Sequence, residues 1–141
     1  MIVAEVMSTK IITISPEESI RNAADKMIEN GVDVLLVIDR GNLCGILTEK
    51  DIIRAIHDNI SLDSPISKVM TKNVITISPD ASLEDAAEIM VSNKIKKLPV
   101  VEENNIIGIV TATNLISYEE KLIERLAEIF LYEPLMGEAA G

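Results

Sequence analysis

Residues 7–53 lie over residues 70–116 without a gap, at a constant offset of 63, and more than a third of the positions are identical. The identities include the run Ile12-Thr13-Ile14-Ser15-Pro16 over Ile75-Thr76-Ile77-Ser78-Pro79. Such a repeat constrains a chain more than any single motif, because both copies must fold alike. Two copies are too few for a solenoid, which needs several stacked units. Two copies facing each other about a pseudo-twofold axis close one core. The expected fold is α/β (α+β): two βαββα repeats, with residues 1–60 as the first, 61–118 as the second, a linker at 59–67, and a C-terminal amphipathic helix and tail over 119–141.

Within each copy the pattern predicts the same elements. Residues 11–14 read as a short strand ended by Ser15-Pro16. Ser19 and its counterpart Ser82 are placed as helix N-caps, with Ser15 a rival one turn earlier. Ile20, Ala23, Ala24, Met27 and Ile28 follow the spacing of one buried helical face, and Leu83, Ala86, Ala87, Met90 and Val91 repeat it. Asn30-Gly31 ends the first helix, with Gly31 suited to a left-handed helix end, a task that falls to Asn93-Lys94 in the second copy. Residues 34–38 form a continuous apolar run, Asp39-Arg40-Gly41-Asn42 a hairpin turn, and residues 43–48 the returning strand. Residues 51–58 predict a second helix with Ile52, Ile53 and Ile56 inward. Residues 118–131 predict a terminal helix with Leu122, Leu126, Ile129 and Phe130 on one face.

Composition excludes several functions. The net charge of −10 argues against binding nucleic acid or an anionic membrane, both of which want a basic face. Aromatic residues make up only 2% of the chain, too few for base-stacking platforms. The core must instead be aliphatic, and 23 isoleucines supply it. Cys44 and His57 are the only residues of their kinds, so neither a disulfide nor a cysteine metal cluster can form within the chain. Cys44 sits mid-strand as a small core residue, and His57 near a helix end. The N-terminus lacks the basic and apolar regions of a secretory signal, and the longest uncharged stretch, residues 104–118, is too short and polar to span a bilayer. A soluble, cytoplasmic protein is the expectation.

The chemistry concentrates where the last strand of each copy meets its last helix: Gly45-Ile46-Leu47-Thr48-Glu49-Lys50-Asp51 and Gly108-Ile109-Val110-Thr111-Ala112-Thr113-Asn114. Thr48-x-x-Asp51 reads in two ways. It is a capping box, in which threonine and aspartate satisfy the helix start. It is equally an anion and sugar site. The turn exposes amides at the positive helix end, the threonine hydroxyl adds a donor, and a carboxylate one turn on accepts ribose hydroxyls. Gly45 would admit a close approach to the backbone.

The repeated T-I-S-P, helix, apolar strand and G-[IL]-[LV]-T-x-x-[DN] pattern resembles the cystathionine-β-synthase (CBS) domain, and two in tandem resemble a Bateman module. The resemblance covers residues 6–118. It implies a module that binds adenosine-containing ligands in two clefts between the copies and associates in pairs as a homodimer. Carried over, the first site uses Asp51 for ribose, Thr48 for phosphate, Val74 and Ile75 for adenine, and Lys96 and Lys97 for phosphate. The second, weaker site uses Ile11, Ile12, Thr111 and Asn114. Asn114 replaces the ribose aspartate, and Asp33 stands where a cation is wanted. A neutral hydrogen bond is worth ~1 kcal/mol and a charged one ~1.5–3, a shortfall of roughly 5- to 30-fold in affinity.

The expected function is a regulatory module that senses AMP, ADP, ATP or a related adenosyl ligand (S-adenosylmethionine or NAD) and signals to a separate effector protein. The ligand is regulatory, with no cofactor and no metal. The alternative is an interaction module with no small ligand, its two turns serving as plain helix caps. An enzyme is not expected, because no acidic pair, nucleophile–base pair or metal cluster repeats.

Overall fold

A computed structural model describes the backbone of residues 1–131 and the side chains of residues 1–128. The chain divides into two compact units, one of Thr9–Thr76 and one that joins Met1–Ser8 to the described residues from Ile77 onward.

In the Thr9–Thr76 unit, Ser19 Oγ accepts the Asn22 N–H at 3.0 Å and opens α1 (Ile20–Asn30). The carbonyls of Ser64 and Leu62 take the Ile20 and Arg21 amides at 3.0 Å each, so the helix start leaves few orphan donors. Gly31, at φ 63, ends the helix in the left-handed conformation. The apolar run becomes β2 (Val34–Asp39), fully buried at Leu35 and Val37. A two-residue turn with positive φ at Arg40 and Gly41 returns the chain as β3 (Asn42–Thr48). β1 (Thr13–Ile14) lies parallel to β2, giving the order β1-β2-β3. α2 (Glu49–His57) is the unit's last α-helix. Ile14, Ile20, Met27, Leu35, Val37 and Leu47 form the core, completed by Ala55 and by Ile66 from the linker.

In the other unit, Ser82 Oγ accepts the Asp85 N–H at 3.0 Å and opens α3 (Leu83–Asn93). Lys94 takes the left-handed end at φ 55. β4 (Lys97–Glu102) and β5 (Asn105–Thr111) form a two-stranded antiparallel sheet. The counterpart of β1 shrinks to one residue, Ile77, which bridges Val100 in parallel. α4 (Ala112–Leu131) is continuous, so the terminal helix expected from residue 118 is an extension of the repeat's own last helix. The side chains of Ile129 and Phe130 lie outside the described residues.

Each core takes a buried side chain from a distant part of the chain. Val3, 0% exposed, packs with Ile77, Leu98, Val100 and Val110, and its N–H donates to the Ala81 carbonyl at 2.8 Å. Ile66, its equivalent at the offset of 63, is 0% exposed in the Thr9–Thr76 core, where the Glu18 carbonyl accepts its N–H at 2.8 Å. Both sit in single turns of 3-10 helix, Val3–Glu5 and Ile66–Lys68. The repeat therefore extends upstream of Met7, through residues 2–6 over 65–69.

Two helix faces differ from expectation. Ile28 and Val91, the ninth residues of these 11-residue helices, are 82% and 78% exposed, off the face that buries Ala23 and Met27 in one and Ala86 and Met90 in the other. Ala87 is exposed as well. On α2 the core side is Ile52 and Ala55, so Ile53 and Ile56 point outward at 63% and 58% exposure. The first strand holds only Thr13 and Ile14 of the four residues expected, and α2 begins two residues earlier than expected, at Glu49.

Gly45 and Gly108 are placed by their neighbours. A Cβ on Gly45 would fall 2.5 Å from Met70 Sδ. One on Gly108 would fall 2.5 Å from Met7 Sδ and 2.9 Å from the Ser8 carbonyl oxygen. Ser8 is itself fixed by two hydrogen bonds with Ile109, each 2.9 Å, so it cannot give way. Gly108→Ala is expected to destabilise by about 1–3 kcal/mol, the range of overpacked cores. Gly45→Ala meets only a flexible methionine and is expected to cost less. Urea unfolding of the two variants checks the order; equal costs would show that the backbone contact does not matter.

Candidate functional site

The two strand-to-helix turns are built alike. β3 ends at Thr48, which pairs with Val34, and the Asp33 carbonyl accepts the Glu49 N–H at 3.1 Å. β5 ends at Thr111, which pairs with Lys97, and the Lys96 carbonyl accepts the Ala112 N–H at 2.8 Å. In each case the strand register delivers the threonine to a helix start one turn ahead of Asp51 or Asn114.

The cap geometry is present in both. Asp51 Oδ2 accepts the Thr48 N–H at 2.8 Å, and the Thr48 hydroxyl lies 3.4 Å from the same oxygen. Asn114 Oδ1 accepts the Thr111 N–H at 2.9 Å, and the Asn114 N–H donates to Thr111 Oγ1 at 3.1 Å. All four side chains are half-buried. The first turn therefore holds its carboxylate by one oxygen and keeps Oδ1 as an acceptor. The second turn uses its only carboxamide oxygen in the cap and keeps an NH₂, which can only donate. That difference in what is left over is invisible in the sequence, where aspartate against asparagine reads as a loss of charge alone.

The remaining candidates are placed as follows. In the Thr9–Thr76 unit, Ile11 and Ile12 lead into β1, and the Ile12 carbonyl accepts the Leu36 N–H at 3.0 Å. β1 and β2 are parallel and β3 is antiparallel, so Ile12, Val34 and Thr48 share one end of the sheet. Ile12 is half-buried and packs on the core, which gives it a structural task beside any contact with a ligand. Val74 is half-buried and Ile75 exposed, in a stretch without regular structure. In the other unit, Lys96 is exposed and Lys97 half-buried, and both stand beside the Thr111–Asn114 turn of their own unit. The same place beside Thr48 holds Asp33.

Sequence reasoning missed the methionines behind the turns. Met70 and Met7 pack over Gly45 and Gly108, each three residues before its threonine. The signal was available, since Met7 and Met70 are equivalent in the repeat and Val6 lies over Val69. Cys44 is half-buried beside the core, at a β-bulge of β3 that β5 repeats at Ile107. Burial pushes its thiol above the ordinary range, with Asp39 adding to the effect, which disfavours the thiolate. His57 is exposed on α2. Among the described residues no group of three or more His, Cys, Asp or Glu is placed to hold a metal ion, and no helix is long and apolar enough to cross a membrane.

Two units on one repeated plan, each ending a β-hairpin in a polar threonine turn, define a tandem-repeat α/β module. The CBS domain matches this sequence twice, over residues 3–58 and 66–121, and the chain belongs to that family. It is 36% identical over 114 residues to the CBS domain-containing protein YhcV of Bacillus subtilis, spanning 80% of this chain and 81% of that one. It is 39% identical over 106 residues to an inosine-5′-monophosphate dehydrogenase of Korarchaeum cryptofilum, but spans only 21% of that enzyme. Among solved structures it resembles the CBS domain pair of protein MJ0100, described in complex with 5′-methylthioadenosine and S-adenosyl-L-methionine. That likeness has a TM-score of 0.79 and 31% identity, covering 86% of this chain and 97% of the other.

Proposed function

We propose that this chain is a regulatory module that binds an adenine nucleotide or related adenosyl compound and passes the bound state to a separate effector protein. One observation carries the reading. Thr48 fixes the Asp51 carboxylate through Oδ2, leaving Oδ1 turned loose at a helix start as a charged acceptor for ribose hydroxyls. The MJ0100 pair supports the ligand class, since its complex holds two adenosyl compounds. Thr48 and the first-turn amides of α2 supply donors. Val74 and Ile75, in the same unit as Asp51, give adenine an apolar wall, and Lys96 and Lys97 attract phosphate beside the Thr111 turn of their own unit. The turn at Thr111 and Asn114 is the weaker site.

The chain acts by binding and not by catalysis. A ligand shifts only the equilibrium between states it binds differently, so the bound turn must present a different surface to the effector. Self-association belongs to this reading. Ile28 and Val91 are exposed at matched positions of α1 and α3, and Ile53 and Ile116 at matched positions of α2 and α4. Paired apolar faces of this kind mark an interaction surface, and a homodimer covers them.

Calorimetry and thermal shift with AMP, ADP, ATP, S-adenosylmethionine and NAD test the ligand reading. A specific ligand at 100 times its Kd is expected to stabilise the chain by about 2.7 kcal/mol. One dominant site is expected. Two equal sites would overturn the ranking of Asp51 over Asn114. Silence across the panel would favour the interaction module, in which Thr48 and Asp51 serve only as the cap that the geometry also shows.

A further inference from the structure

α4 runs past the plan of the repeat. At the offset of 63, the end of α2 at His57 falls on Glu120, yet α4 continues to Leu131. The core does not need the extension. Among the described residues, α4 gives that core Ala112 and Leu115 and nothing further along. From Lys121 to Glu128 every side chain is exposed.

The extension carries its charges sorted by sign. After Lys97 the chain has eight glutamates and only two basic residues, Lys121 and Arg125. These two stand four apart on one face of α4, as Glu120, Glu124 and Glu128 stand on the next. Stripes of one sign repel themselves along a helix, and only the i, i+3 pairs Lys121–Glu124 and Arg125–Glu128 offset this. An isolated helix gains more from interleaved signs. Sorted stripes gain when a second charged surface meets them.

The cationic stripe borders a groove. Met1, Tyr118, Lys121, Leu122, Glu124 and Arg125 line about 400 Å³ between α4 and Met1. Leu122 is 39% exposed and Met1 54%. Tyr118, Leu122 and Arg125 recur at intervals of four and three, the spacing by which one helix presents a stripe to another. The α3 side of α4, with Ile116, Glu119, Glu120 and Ile123, lies on the opposite side of the helix.

We propose that this groove docks an acidic amphipathic helix of the effector protein. An apolar side chain of that helix seats among Met1, Tyr118 and Leu122, and its carboxylates face Lys121 and Arg125. The inference rests on the reading of the chain as a module that signals to a separate protein, and adds the place and the chemistry of the contact. Charge chooses the occupant. A second copy laid on the same face would set Lys121 and Arg125 against the same two cations. An anionic membrane wants a broad basic face, whereas Glu124 lies in this groove and the chain's net charge is −10. A protein helix places its carboxylates singly, and so meets two cations while sparing the glutamates beside them.

The test uses the full chain without nucleotide and a synthetic probe. The probe is a fluorescein-labelled helix of about 14 residues, with leucines at intervals of four and three and glutamates beside them. Its twin carries lysine for every glutamate. By fluorescence anisotropy the glutamate helix is expected to bind at least tenfold tighter than the twin, and to weaken as salt rises. The chain's overall charge favours the lysine twin, so the expected order requires a local cationic site. Lys121→Glu/Arg125→Glu should abolish the preference. Arg21→Glu/Lys68→Glu, equal in charge and exposed in the Thr9–Thr76 unit, should keep it. Circular dichroism confirms the fold of each variant. No preference in the wild type, or one that survives Lys121→Glu/Arg125→Glu, overturns the proposal. Tighter binding to phosphatidylserine vesicles than to the glutamate helix overturns it in favour of a membrane. Loss of self-association in Lys121→Glu/Arg125→Glu, by sedimentation equilibrium, overturns it in favour of a second copy. Nucleotide titration of the same variant keeps the two readings apart. Lost helix binding with unchanged nucleotide affinity is the expected result. A silent nucleotide panel with the glutamate preference intact removes the sensing and leaves the docking face standing.

Discussion

Ile66→Ala is expected to destabilise the chain by about 2–5 kcal/mol, the cost of deleting a large aliphatic side chain from a filled core. Its side chain is fully buried among Ile14, Ile20, Leu35 and Leu47, although it lies in what the sequence presents as a linker. A solvated linker would predict almost no effect. Lys68→Ala, two residues on and exposed, is the control and should stay within about 0.5 kcal/mol. Urea denaturation measures both. A loss below about 1 kcal/mol for Ile66→Ala would mean that the segment does not seat in the core. Val3→Ala should show the same behaviour in the other unit at smaller cost, because valine carries one methylene fewer.

Asp51→Ala is expected to lower affinity for the adenosyl ligand by about 1.5–3 kcal/mol, the worth of hydrogen bonds to a charged group. That is roughly a 10- to 150-fold rise in Kd. The alanine also removes the acceptor of the Thr48 N–H, so affinity and stability fall together and must be separated. Asp51→Asn separates them. The second repeat already shows an asparagine at this place holding the threonine amide at 2.9 Å. The Asp51→Asn variant should therefore keep its melting temperature and lose affinity. Asn114→Asp should do the reverse at the weaker turn and gain affinity there. Unchanged binding in Asp51→Asn, measured by calorimetry, would remove Asp51 from the site.

Much of this was legible because it is local. The serine caps, the left-handed helix ends at Gly31 and Lys94, and the hairpin turns each depend on a few adjacent residues, and the repeat displayed each one twice. The threonine turns were legible for the same reason. What the sequence hid depends on partners far along the chain. Nothing near Val3 or Ile66 shows that each completes a core with residues on the other side of a strand or helix. Isoleucine itself misled at Ile28, Ile53 and Ile56. In a chain with so many, apolar residues fall on both faces of a helix, and periodicity alone cannot say which face is covered. The roles of the turn oxygens were hidden too, since only the hydrogen-bond pattern shows which atom of Asp51 or Asn114 the cap occupies.

Synthesis runs from the N-terminus, and that gives the placement of Val3 a temporal meaning. The Thr9–Thr76 unit has all its parts once its last residue has emerged, and can close on its own schedule. The other unit uses residues made before Thr9, but their partners, from Ile77 to Val110, are made only after Thr76. Until then Val3 has no core to enter, and closing so long a loop adds entropy that local contacts do not repay. The two repeats, built on one plan, are therefore expected to mature in order: the Thr9–Thr76 unit first, and the other only when residues made before it fold back to meet residues made after it.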